Sequence, residues 1–202
     1  MLYYILRYLL WPVFVLVFKP KVYNRKNYRV KGKAIYVANH ISLLDPVAIA
    51  FTCPRIVHFM AKKELFVGPG KPFFKALLAF PVNRHTADIA SLKQAMELLG
   101  QGKAFGIFPE GKRSVTGELD DLEKGTAFIA LKSGAPVIPL YIDPEGYART
   151  RVRIVVGQPI SREGLEGMSR AESLDEFMRR IEAALKELRG ELEEKSIAAC
   201  SR

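Results

Sequence analysis

Apolar residues along this chain occur in two patterns. Short solid runs alternate with segments where apolar residues recur every three or four positions. The runs KAIYVAN (33–39), RIVHFMA (55–61), FPVNR (80–84), KAFGIFP (103–109), PVIPLYI (136–142) and RVRIVVG (151–157) read as strands. The periodic segments read as helices. In DPVAIAFTC (45–53), Asp45 is the expected N-cap and Pro46 the first helical residue. KPFFKALLAF (71–80) carries the stripe Phe74, Leu77 and Leu78. DIASLKQAMELLGQG (88–102) carries Ile89, Leu92, Met96 and Leu99, and KGTAFIALKSG (124–134) is closed by Gly134. The last helix is expected to begin at SLDE (173–176), a capping-box pattern. Its stripe is Phe177, Ile181, Ala184, Leu185, Leu188 and Leu192.

Strands alternating with helices of this length predict a single α/β domain with a mainly parallel or mixed sheet flanked by helices. In such sheets the working site lies where strands lead into helices. Three polar segments follow apolar runs in this way: Asn39-His40, Asn83-Arg84 and PEGKRS (109–114).

The first 32 residues break the pattern. LYYILRYLLWPVFVLVF (2–18) is apolar except for Arg7. Its uninterrupted part, Tyr8 to Phe18, is shorter than the roughly 20 apolar residues a full crossing needs. Pro12 is expected to kink a helix there. No small-residue cleavage site follows, so a signal peptide is not indicated. Tyr3, Tyr4, Tyr8 and Trp11 favour a membrane interface. The segment reads as a monotopic membrane-associating helix, with a buried core helix and a single tilted span as the alternatives.

Charge adds to this picture. Residues 1–44 hold Arg7, Lys19, Lys21, Arg25, Lys26, Arg29, Lys31 and Lys33 and no acid; the first carboxylate is Asp45. Such a block seeks polyanions, and next to an apolar helix the natural partner is an anionic membrane surface. The expected division is therefore 1–32 as anchor and polybasic segment and 33–202 as catalytic domain. Nucleic acid is disfavoured as a partner, because no recognisable binding motif is present and the apolar segment would go unexplained. Two cysteines and three histidines, without metal-ligand spacing, point to neither a disulfide framework nor a metal site.

The segment NHISLLDP (39–46) places His40 five positions before Asp45. On one continuous helix that spacing separates side chains by roughly 140°. The two meet only if His40 lies in the loop and Asp45 at the helix start. A carboxylate there fixes the imidazole tautomer and leaves the other ring nitrogen to take a proton. On this motif alone, a capping aspartate beside an ordinary loop histidine is the favoured reading. In FPEGKRS (108–114), Gly111 permits a tight turn, Arg113 suits a phosphate, and Lys112 adds a point charge. Alone, this loop also reads as a charged surface turn, and Arg84 and Lys62 as ordinary surface cations.

Taken in order, these blocks resemble the glycerolipid acyltransferase family, in particular its bacterial 1-acylglycerol-3-phosphate acyltransferases. NHISLLD matches the family pattern NHxxxxD. AKKELF (61–66) followed by FPVNR matches its second region, FPEGKRS its third, and GAPVIPLYI (134–142) its fourth. Lys124-Gly125 also falls where the family often has Lys-Gly. One departure is Lys112, where the family usually has Thr.

The resemblance implies His40 as general base and Asp45 as its orienting carboxylate, with direct transfer and no acyl-enzyme. It implies Lys62, Arg84, Glu110, Gly111, Lys112, Arg113 and Ser114 as the acceptor-binding set, with Arg84 and Arg113 on a phosphate. The acyl donor would be acyl-CoA or acyl carrier protein, the acceptor a lysophospholipid, and no other cofactor is expected. Segment 71–80 is a candidate wall for the acyl groove. The implied location is the cytoplasmic face of the bacterial cell membrane. Glycerol 3-phosphate or another lysolipid remains open as acceptor, as does a non-catalytic membrane-binding role.

Overall fold

A computed structural model describes residues 2–82, 89–114, 119 and 122–200. The helices are α1 (Leu2–Phe18), α2 (Asp45–Thr52), α3 (Lys71–Ala76), α4 (Ile89–Gly100), α5 (Gly125–Ser133) and α6 (Arg170–Cys200). The strands are β1 (Lys21–Tyr23), β2 (Ala34–Ala38), β3 (Val57–Lys62), β4 (Phe80–Val82), β5 (Ala104–Ile107), β6 (Val137–Ile142) and β7 (Arg153–Val156).

The strands form one sheet in the order β1-β7-β6-β2-β5-β3-β4. From β6 to β4 every neighbouring pair is parallel. β7 runs antiparallel to β6, and β1 pairs parallel to β7. The sheet is therefore mixed, with a parallel block of five strands. The carboxyl ends of β2, β3, β4 and β5 share one edge.

Both faces of the sheet are covered, which is why its strands read as solid apolar runs. On one face Tyr36, Ala38, Ile138 and Leu140 pack with Ile49 and Phe51 of α2 and Phe14 of α1. On the other, Ile35, Val37, Phe105 and Val137 pack with Ala95 and Leu99 of α4, Ala127 of α5, and Phe177, Ile181 and Leu185 of α6. Gly106 of β5 is required by this packing: a Cβ there would lie 2.2 Å from the Phe59 ring. The missing side chain lets that ring lie across the neighbouring strand.

Three details depart from expectation. The last helix starts at Arg170, not at the SLDE segment. Its capping box is Ser169-x-x-Glu172: the Glu172 N–H donates to Ser169 Oγ (3.3 Å) and the Ser169 N–H to Glu172 Oε2 (2.9 Å). The helix in 71–80 is only six residues long, Lys71–Ala76. β1 has no counterpart among the expected strands, being three basic-flanked residues held at the sheet edge by β7.

α1 runs through Pro12 as one helix of 17 residues, and no described helix is long and apolar enough to cross a membrane. One side of α1 is seated on the domain. Tyr3 and Phe14 are buried, Phe14 meets Phe51 edge-on at 5.3 Å, and Arg7 Nη2 donates to the Cys53 carbonyl at 2.8 Å. The other side exposes Tyr4, Ile5, Tyr8, Leu9, Trp11, Val13, Leu16 and Val17. The helix thus combines the buried-helix and the exposed-apolar expectations, one on each side.

Candidate active site

The loop after β2 begins with Asn39, which is buried and tied to β6 by two bonds. Its Nδ2 donates to the Ile142 carbonyl (2.9 Å), and the Ile142 N–H donates to its Oδ1 (2.7 Å). This pins the chain as it leaves the sheet and aims the next residue, His40. The His40 ring stacks on Phe108 at 4.2 Å between centroids, and Phe108 in turn stacks near Phe59 at 5.9 Å.

Asp45 begins α2, with Leu44 as the N-cap residue and Pro46 directly after. It does not cap by the expected route. Its carboxylate turns back over the preceding loop and collects four donors. Oδ2 lies 2.8 Å from His40 Nδ1 and accepts the Ile41 and Ser42 N–H groups, both at 2.7 Å. Oδ1 accepts the Tyr147 hydroxyl at 2.9 Å. Asp45 has no exposed surface and His40 is 7% exposed. A carboxylate surrounded by donors acts as acceptor, so His40 Nδ1 is the donor to it, and in the neutral ring the lone pair is then on Nε2. Ser42 has a local task, its Oγ accepting the Leu44 N–H at 3.1 Å.

The loop after β5 closes against the same histidine. Glu110 is buried, and its Oε1 accepts the His40 N–H at 2.9 Å. The Ser114 N–H donates to the His40 carbonyl at 2.7 Å. Both the N–H and the C=O of His40 are therefore held by the 109–114 segment. Gly111 turns this loop at φ +65°, and a Cβ there would lie 2.2 Å from Glu123 Oε1. Only glycine meets both conditions. Lys112 and Arg113 are exposed. Lys62 closes β3 at the same edge, with its Nζ 3.7 Å from Glu64 Oε1 in an exposed pair. Arg84 lies outside the described residues. The structure thus gathers His40, Asp45, Glu110, Gly111 and Ser114 into one bonded unit and sets Lys62, Lys112 and Arg113 on its surroundings.

A cavity of about 470 Å³ opens alongside, lined among others by Met60, Val82, Leu92, Phe108, Phe128 and Ile129. Phe108 belongs to both places, stacking on His40 and lining this apolar space. Among the described side chains, none from 71–80 lines this cavity; its walls come from α4, α5 and the strand ends.

Sequence reasoning misses Tyr147, which lies 102 positions beyond Asp45 in the turn between β6 and β7. Nothing local to Gly146-Tyr147-Ala148 marks it. Its hydroxyl is found only once β6 brings that turn alongside β2. Asn39 stands inside the NH motif, yet its cross-sheet bonds are equally invisible from sequence.

These features define an α/β domain with a buried histidine–aspartate pair beside an apolar cavity. The chain belongs to the acyltransferase family, whose model matches residues 19–143. It is 30% identical over 181 residues to the 1-acyl-sn-glycerol-3-phosphate acyltransferase of Bacillus subtilis, covering 86% of this chain and 90% of that one. The Borreliella burgdorferi protein of the same name is 31% identical over 127 residues, covering 59% of this chain and 49% of its own. The crystal structure of the 1-acyl-sn-glycerophosphate (LPA) acyltransferase PlsC from Thermotoga maritima matches with a TM-score of 0.64 at 25% identity. That match covers 90% of this chain and 81% of the other. The protein is an acyltransferase of the lysophosphatidic acid acyltransferase family.

Proposed function

We propose that the protein transfers a fatty acyl group from an acyl-CoA or acyl carrier protein thioester to the free hydroxyl of 1-acylglycerol 3-phosphate, giving phosphatidic acid. The observation that carries this reading is the His40 Nδ1–Asp45 Oδ2 contact at 2.8 Å, which leaves Nε2 as the proton acceptor. His40 Nε2 takes the acceptor's hydroxyl proton as its oxygen bonds to the thioester carbonyl carbon. The tetrahedral intermediate then collapses, expelling the thiolate, which receives the proton from the imidazolium. Ester and free thiol result, with no acyl-enzyme and no further cofactor. Asp45 stabilises the transient positive ring.

Arg113, Lys112, Lys62 and Arg84 supply positive charge for the acceptor phosphate. The committed bonds of Glu110 and Ser114 give these two a supporting task, shaping the loop that presents Arg113. The apolar cavity beside Phe108 takes an acyl chain. The exposed apolar side of α1 rests in one leaflet, with Lys19, Lys21, Arg25, Lys26, Arg29 and Lys31 on anionic headgroups. Soluble thioester donors place this at the cytoplasmic face of the cell membrane.

The test is a transfer assay pairing lysophosphatidic acid and glycerol 3-phosphate with acyl-CoA and acyl carrier protein donors. Product from lysophosphatidic acid with at least one donor is expected. Transfer to glycerol 3-phosphate alone reassigns the acceptor, and no transfer to either overturns the reading.

A further inference from the structure

Within the buried pair of His40 and Asp45, the two carboxylate oxygens are held differently. Oδ2 carries the His40 contact and two backbone N–H groups of the same loop, while the Tyr147 hydroxyl reaches Oδ1 from the far side of the fold. Rotation about the Cβ–Cγ bond moves both oxygens together, so the donor on Oδ1 adds to the three on Oδ2 in resisting it, and it does so from a second element.

We propose that Tyr147 is a positioning residue for the reaction, fixing the Asp45 carboxylate so that Oδ2 keeps its alignment with His40 Nδ1. This rests on the reading of His40 as the base. Tyr147 suits the task in three ways. Its ring is braced edge-on against Phe18, the last residue of α1, at 5.7 Å between centroids. Phe18 is itself fixed, since its carbonyl accepts the Val152 N–H at 2.8 Å. Burial, reinforced by the adjoining Asp45 carboxylate, pushes the phenol far above its ordinary titration range, so it remains a neutral donor at every working pH. A neutral donor orients the carboxylate and leaves its charge facing the imidazole. The seating of α1 on the domain is thereby connected to the catalytic pair through one side chain.

The groups that face Asp45 are His40 from its own loop and Tyr147 from the β6–β7 turn. Glu110 meets the His40 backbone from the 109–114 loop. Removing the Tyr147 hydroxyl takes away the side-chain donor to Oδ1, so the carboxylate holds His40 Nδ1 less firmly and the ring spends less time aligned for proton transfer.

The experiment measures kcat and both KM values for wild type, Tyr147→Phe and His40→Ala, each with its thermal melting curve. For Tyr147→Phe, kcat is expected to fall about tenfold, as befits one lost hydrogen bond to a charged group. Both KM values should stay within about twofold. An unchanged kcat overturns the proposal. So does a fall in kcat that only tracks loss of folded protein in the melting curve, or one matched by an equal rise in KM. If His40→Ala retains turnover, the reading of the base fails instead. If His40→Ala is inactive while Tyr147→Phe matches wild type, only the role of Tyr147 falls.

Discussion

His40 Nδ1 and Asp45 Oδ2 stand 2.8 Å apart although the two residues belong to different elements, a loop and the first turn of a helix. The contact exists because the chain reverses between them. The Ile41 and Ser42 N–H groups fold over the same carboxylate oxygen that meets the ring. A spacing of five residues thereby becomes a bonded pair.

The loop that clasps this pair depends on Gly111. Gly111→Ala places a Cβ in the left-handed region and against the Glu123 carboxylate, 2.2 Å from its Oε1. Strain of this kind costs about 1–3 kcal/mol. Chemical denaturation should show a lower midpoint, and acyl transfer should fall because the 109–114 loop also holds both backbone groups of His40. Wild-type values in both measurements would show that the loop adapts.

Arg113 is exposed and directly precedes Ser114, whose N–H holds the His40 carbonyl. Arg113→Ala should raise KM for lysophosphatidic acid more than for the thioester, by roughly tenfold for one lost charged contact. Equal effects on both substrates would separate Arg113 from the phosphate. The same comparison applies to Arg84.

Buried phenols make the fold sensitive to alkali. Burial raises Tyr28, Tyr36 and Tyr147 above the ordinary tyrosine range. A group whose folded-state value is raised adds stability that is complete below its unfolded value and is lost as pH climbs above it. The ordinary value is about 10, so melting temperature should hold to about pH 9 and decline through pH 10–11. Tyr36→Phe should soften that decline while losing the 2.7 Å bond to the Tyr28 carbonyl. A melting temperature flat to pH 11 would contradict this.

The capping of α6 separates two similar signals. Ser169→Ala should cost about 1 kcal/mol in denaturant unfolding, because it removes the bond to the Glu172 N–H, whereas Ser173→Ala should be near neutral.

Much of this molecule is legible in the sequence where the signal is local. The solid runs at 33–39, 103–109 and 136–142 become β2, β5 and β6 because strands covered on both faces must be apolar throughout. Asp45-Pro46 marks the start of α2 to within one residue, Leu44 standing as N-cap in place of the expected Asp45. What is missed depends on partners distant in the chain. Ser169-x-x-Glu172 and Ser173-x-x-Glu176 both fit a capping box, and the pattern does not rank them. β1 is a strand only because β7 offers it an edge. Asp45 looks like a cap from sequence, and its second partner, Tyr147, arrives through a crossover that no spacing reveals. The order of the NHISLLD, FPVNR and FPEGKRS blocks points to the family more surely than any one of them, and the strands before the first and the last, β2 and β5, are parallel neighbours that end at a single edge.

The most direct test of the account is the initial rate of acyl transfer to lysophosphatidic acid by His40→Ala beside wild type, at matched folded protein. The account predicts a loss of about 10²–10⁴-fold, the usual contribution of a general base, with an unchanged melting temperature. A variant that transfers acyl groups at close to the wild-type rate would contradict it.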